Sequence, residues 1–213
     1  MKIIKPSTEI TYMPDGIEVL KMIERAGRTC YKSEDKISDE SCKTFVASII
    51  KRGHEAMLEF ADATVKFVCD RGVSHEIVRH RIASYAQEST RYCNYSGDKF
   101  GKEITVVEPC FWPIEQELSL SHKVWALACM DAERHYFKLL ELGASAQEAR
   151  SVLPNSLKTE INVKYNMREW RAFFKLRCAT AAHPQMRELT IPLLKEFKKR
   201  VPVLFDDIFP ELV

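Results

Sequence analysis

Several protein classes are excluded by what this chain lacks. Seven glycines in 213 residues give no Gly-rich linker. No internal repeat or low-complexity stretch interrupts the sequence. The seven cysteines (Cys30, Cys42, Cys69, Cys93, Cys110, Cys129 and Cys178) are scattered, odd in number and never spaced Cys-x-x-Cys. That pattern predicts reduced thiols in a cytoplasmic protein. Met1-Lys2-Ile3-Ile4-Lys5 does not read as a signal peptide, and no apolar run approaches the ~18 residues that suggest a membrane span. Neither sign of charge prevails, with 32 Lys and Arg against 30 Asp and Glu. A nucleic-acid partner would normally need a basic excess, so none is expected, and any anion site must be local. His75 and His80 are five apart with no ligand cluster around them, so no metal is expected.

What is present suits a single domain over residues 1–213, with 46% apolar residues to build a core. The patterning predicts a strand at 10–13 and a helix from about Ile17 to Ala26. A helix follows from Ser38 towards Gly53, then a strand at 62–69. Gly72-Val73-Ser74 is a possible cap for a helix carrying Ile77 and Val78 onward. Beyond it come a strand at 103–107, a long helix over 114–142 and a short helix over 147–153. A half-buried strand at 161–166 leads to Asn166 as cap of a further helix, and the last helix spans about 184–201. Strict βαβ alternation is missing. The fold class read from this order is α+β, a mixed central sheet flanked by helices, one of them long.

The densest chemistry lies in Arg79-His80-Arg81-Ile82-Ala83-Ser84-Tyr85-Ala86-Gln87-Glu88-Ser89-Thr90-Arg91-Tyr92. Close like charges disfavour one another, so such a cluster calls for an anion among them. Arginine offers a rigid fork of donors that matches phosphate oxygens. Apolar residues interleave with the charges, unlike a flexible solvated run. If the segment were helical, His80, Ser84, Gln87 and Arg91 would share one face.

Three further elements follow the same logic. Gly53-His54-Glu55-Ala56-Met57-Leu58-Glu59 sets a histidine and a glutamate five apart in a turn-like region. Ala149-Arg150-Ser151-Val152-Leu153-Pro154 carries an arginine on a short helix. Asn166-Met167-Arg168 opens a helix that ends in Leu176-Arg177, and His183-Pro184-Gln185 lies just beyond.

Arg-His-Arg, seven residues, then Ser resembles the signature of the flavin-dependent thymidylate synthases, and Arg91-Tyr92 extends the match. Gly-His-Glu, Ala-Arg-x-x-Leu-Pro and Asn-x-Arg…Leu-Arg are similar to that family's other elements, in the same order over residues 53–185. The resemblance implies reductive methylation of dUMP to dTMP. Methylenetetrahydrofolate would give the one-carbon unit, reduced FAD the hydride, and NADPH the reducing power. It implies FAD contacts at His54, Glu59, Arg79, His80, Arg81, Gln87, Asn166, Arg168 and His183. It implies dUMP contacts at Glu76, Gln87, Glu88, Ser89, Arg91, Arg150 and Arg177, with Arg177 as the catalytic residue at the uracil ring. It further implies a homotetramer with sites shared between subunits, the long helix serving as an interface element.

The chain departs from the family pattern at three positions. Ala86 stands where many members have Asn or Ser, Ala172 where His or Asn is common, and Glu76 where Gln is common. Rival readings are a thiol-dependent methylase using Cys93, which has Arg91 nearby but no local base, and a nucleotide- or RNA-binding module stacking bases on Tyr85, Tyr92 and Tyr95.

Overall fold

The computed structural model describes residues 1–112 and 119–212. Six strands are present among them: β1 (Lys2–Ile4), β2 (Ser7–Tyr12), β3 (Asp62–Asp70), β4 (Ala83–Gln87), β5 (Thr105–Val107) and β6 (Lys158–Asn166). The helices are α1 (Gly16–Tyr31), α2 (Ser41–Lys51), α3 (Arg71–Ile77), α4 (Leu120–Glu141), α5 (Ala146–Ala149), α6 (Met167–Arg177), α7 (Pro184–Arg200) and α8 (Pro202–Phe205). The architecture is mixed α+β. None of the helices is long and apolar enough to cross a membrane.

The strands form a sheet of order β2-β3-β6-β4 and a parallel β1-β5 pair in which Ile3 faces Val106. The chain divides into two compact units that interleave in sequence. One comprises Met1–Ser7, Phe67–Arg79 and Ala86–Ile161; the other comprises Thr8–Lys66, His80–Tyr85 and Asn162–Val213. The division falls inside each of the four strands of the larger sheet.

In the first unit, Tyr95, Ile104, Val106, Cys129, Tyr136, Ala149 and Leu157 form the core. In the second, α6 buries Trp170, Phe173 and Phe174, and Phe197 of α7 and Phe205 of α8 pack on them with ring centroids 5.1–5.8 Å apart. Burying each such ring stabilises the fold by roughly 1.5–3 kcal/mol. Arg171, beside these rings on α6, is also buried and needs a counter-charge. Asp207 supplies it with a two-pronged ion pair at 2.7 Å, and the Leu204 carbonyl accepts a further bond.

Several sequence expectations need correction. Periodicity ends α1 near Ala26, but the helix runs to Tyr31. The Glu24–Arg28 pair at 2.9 Å and an αL cap at Lys32 carry it past its apolar stripe. Helix α3 is capped by Asp70, whose side chain accepts from the Val73 N–H at 2.8 Å, rather than within Gly72-Val73-Ser74. It ends at Ile77. The signature beyond it is not helical: Ala83–Gln87 is strand β4 beside β6, and burial alternates along it. His80, Ser84, Gln87 and Arg91 therefore share no helical face. Strand pairing satisfied the backbone there, and the period of two in Ala-Ser-Tyr-Ala-Gln fits it. The long helix is described from Leu120; its expected start at 114–118 lies outside the described residues. Asn166 caps α6 as expected, accepting from the Glu169 N–H at 2.8 Å, and the last helix spans Pro184–Arg200.

Candidate active site

The first unit gathers the phosphate-type chemistry. Strand β4 delivers Gln87, whose amide donates to Ser74 Oγ at 3.0 Å and to Thr159 Oγ1 at 3.2 Å. The next residue continues the pairing, with the Glu88 N–H donating to the Glu160 carbonyl at 2.8 Å. The Glu88 carboxylate itself turns to Lys158 at 3.0 Å, an ion pair on a partly buried strand. A tight turn follows, in which the Tyr92 N–H donates to the Ser89 carbonyl and the Arg91 N–H to Ser89 Oγ. That turn meets α5 and the residues after it. Arg91 Nε donates to Gln147 Oε1 at 2.9 Å, and Arg150 Nη1 donates to Thr90 Oγ1 at 3.3 Å.

Beside them lies a cavity of about 440 Å³. Arg71, His75, Thr90, Gln147, Arg150 and Ser151 supply its polar wall, and no carboxylate lines it. Two guanidiniums and an imidazole without an acid among them form an anion-accepting surface. Of the nucleotide contacts expected from sequence, Arg150 lines this cavity. Ser89 and Arg91 are tied to its wall, while Glu88 faces Lys158 instead. Glu76 and Arg79 sit at the end of α3, where the Glu76 carbonyl accepts from the Arg79 N–H, and neither lines the cavity. Neither Arg71 nor His75 is expected at an anion site from the sequence, where His75 enters only as a rejected metal ligand. Their i, i+4 spacing on α3 could have shown them as one face.

The second unit gathers Glu59, Arg81, Asn166 and Arg168 around the N-terminus of α6. Arg168 Nη1 reaches Glu59 Oε1 at 2.6 Å. A cavity of about 500 Å³ is lined there by Glu59, Arg81, Asn166, Arg168, Ala172 and Lys175, with Glu55, Ile82 and Glu169 completing the wall. His54 and His183 are exposed and lie outside this lining; His54 Nδ1 pairs with the Tyr31 hydroxyl at 2.8 Å.

His80 is held more tightly than any other expected site residue of this unit. Its ring is 8% exposed and sits edge-on to Phe173 at 5.0 Å. Nδ1 lies 2.8 Å from Glu169 Oε1, and Nε2 accepts from Arg177 Nε at 3.1 Å. Its carbonyl accepts from Tyr85 Oη and from Arg81 Nη1. Burial first, and then the Arg177 guanidinium, lower its pKa to about 4, so the imidazole is neutral at pH 7. Burial also raises the Glu169 carboxyl above its ordinary value.

The tyrosines of the stacking reading do not form a platform. Tyr95 is buried against Tyr136 and Phe100, Tyr85 Oη pairs with Tyr165 Oη at 3.1 Å, and Tyr92 alone is widely exposed.

The family model described as thymidylate synthase complementing protein matches residues 10–203. The chain belongs to that family. It is 36% identical over 192 residues to the flavin-dependent thymidylate synthase of Geobacter sulfurreducens, covering 87% of this chain and 80% of that one. The enzyme of the same name from Pyrococcus furiosus is 34% identical over 207 residues, covering 95% and 81%. That from Corynebacterium aurimucosum is 34% identical over 204 residues, covering 87% and 78%. Thymidylate synthase family membership makes this chain an enzyme, as the resemblance implied.

Proposed function

We propose that the chain converts dUMP to dTMP by reductive methylation. Methylenetetrahydrofolate is the one-carbon donor, reduced FAD the hydride source and NADPH the reductant. The observation that carries this reading is the acid-free wall of Arg71, His75 and Arg150, a receptor for a nucleotide monophosphate beside the signature turn. Arg91 and Ser89 brace that wall, so they hold the phosphate site in shape.

The donor set of the second cavity suits FAD. Arg81, Arg168 and Lys175 offer cationic donors suited to a dinucleotide pyrophosphate, and Ile82 and Ala172 offer apolar surface to a ring. Each of the wall's three carboxylates has a partner: Glu59 pairs with Arg168, Glu55 lies 3.5 Å from Arg171 and 3.8 Å from Lys175, and Glu169 accepts from His80. The residues fit. In this reading Ala172, which lines the same wall, would offer FAD a methyl contact where the family's common His or Asn would offer a hydrogen bond. When bound, the flavin supplies hydride chemistry that no side chain can provide.

The protein's own part is position and electrostatics. Methylation needs C5 of the pyrimidine to become a carbon nucleophile, and negative charge then develops on the ring oxygens and N3. Arg177, fixed by His80, neutralises that charge. A single preorganised donor of this kind contributes about 3–4 kcal/mol to the transition state. In this reading the enzyme is a homotetramer in which neighbouring subunits complete each other's sites.

The test is reconstitution with dUMP, methylenetetrahydrofolate, FAD and NADPH, scored for dTMP. Arg150→Ala is expected to raise KM for dUMP by roughly 10–100-fold, the size of a lost charged hydrogen bond. Arg177→Ala is expected to lower kcat by about 10²–10³ while the protein stays yellow. No dTMP from the wild-type enzyme, or undiminished turnover by Arg177→Ala, refutes the reading.

A further inference from the structure

The contacts around His80 form a directed chain, Glu169–His80–Arg177, that no expected site role accounts for. A neutral imidazole carries one N–H, and its two nitrogens then play opposite parts. Arg177 Nε can only donate, so His80 Nε2 must be the acceptor at their 3.1 Å contact. The proton therefore sits on Nδ1, which faces Glu169 Oε1 at 2.8 Å. The carboxylate is the acceptor that this tautomer requires.

Glu169 is placed by two independent features of α6. Its own N–H is capped by Asn166, and it occupies the first turn, where a carboxylate meets the positive end of the helix. Arg177 stands at the last residue of the same helix. His80 bridges the side chains of the two, its ring pinned by Phe173 and its carbonyl pinned by Tyr85 and Arg81. Fixing Nε of a planar guanidinium sets the plane in which its Nη donors point.

We infer that Glu169 is a positioning residue for the pyrimidine chemistry: it holds His80 in the Nδ1–H tautomer, so that Nε2 orients the Arg177 guanidinium. This rests on the reading in which Arg177 meets the pyrimidine. Glu169 also lines the cavity read above as the flavin site, but towards the pyrimidine it acts through His80, as a carboxylate behind a metal-ligating or general-base histidine does.

The decisive variant is Glu169→Gln, which keeps size and shape but can present an amide N–H to Nδ1. Where that N–H faces Nδ1, His80 carries its proton on Nε2 and opposes the Arg177 N–H; Glu169→Leu, which offers Nδ1–H no acceptor in any orientation and is expected to show the same fall in kcat, controls for an amide that turns its oxygen there instead. Long-range ¹H–¹⁵N correlation spectra of the full-length protein read the tautomer without any turnover. The wild type is expected to show Nδ1–H at His80 and Glu169→Gln to show Nε2–H. In the same variant kcat is expected to fall about tenfold or more, with KM for dUMP changed less than about twofold, the signature of an interaction used in the transition state.

An Nε2–H tautomer in the wild type overturns the inference without any variant having to fold. So does a tautomer switch with kcat unchanged, or a fall in kcat with the tautomer unmoved. Full activity of Arg177→Ala would instead remove the reading beneath it, which keeps the two failures distinguishable.

Discussion

At the residue scale, His80 makes the site sensitive to acid. Its pKa is lowered in the folded state, so the unfolded chain binds a proton over a range where the native protein refuses one. Stability is then full above about pH 6.5, the ordinary histidine value, and is lost as pH falls towards about 4. For a nearly buried ring the loss is on the order of 3 kcal/mol across that window. Glu169, whose carboxyl is raised, works in the opposite direction, since its native form takes up a proton more readily. The two effects separate in a Glu169→Gln background. There, urea midpoints measured from pH 7 to pH 4 are expected to fall less steeply once His80→Asn is added. Parallel slopes with and without His80 would contradict the assignment. Cys69 shows the other consequence of burial: its thiol is pushed up to about 12 and stays protonated.

At the element scale, periodicity located most helices and strands because burial on one face imposes it. Ile161, Val163 and Tyr165 face inward on β6 with Asn162 and Lys164 outward, as their alternation required. The signature defeated the same reasoning. A five-residue strand carries too short a pattern to be told from a helix, and its polar residues sit at spacings compatible with either. The motif resemblance names Arg150, Glu59 and Arg168 one by one but not the Glu59–Arg168 ion pair, and it gives no role to Arg71, His75 or Glu169. Their roles come from contacts between segments that sequence spacing does not encode, such as the 89 residues separating His80 from Glu169. Helix α1 offers a test of such a contact. Gly27 lies beneath the Phe45 ring, and a Cβ there would come within 2.5 Å of it. Gly27→Ala gains roughly 1 kcal/mol of helix propensity, but forcing the ring aside costs about 1–3 kcal/mol. The variant is expected to unfold at a lower temperature than wild type; a higher melting temperature would mean that Phe45 moves freely.

At the scale of the whole molecule, the two compact units are each assembled from separated stretches of chain, so no single cut releases either one intact. Among the described residues, exposed apolar side chains are concentrated on α4. Leu120, Val124, Leu127 and Met130 recur at intervals of three and four and are 52–76% exposed, which puts four large side chains on one face of a helix. A contiguous apolar face of this kind marks an association surface, and covering each side chain contributes roughly 1.5–3 kcal/mol. The homotetramer implied by the family resemblance would cover it with another copy of the chain. Sedimentation of the wild type is expected to give four copies per particle. Val124→Lys with Leu127→Glu is expected to yield smaller species, because two charges would be buried without partners. Since the proposed sites are completed by neighbouring subunits, the same double variant is expected to lose dTMP formation while the circular dichroism of each chain stays native. A wild-type monomer that makes dTMP would refute the shared site, and an intact tetramer in the double variant would move the interface away from α4.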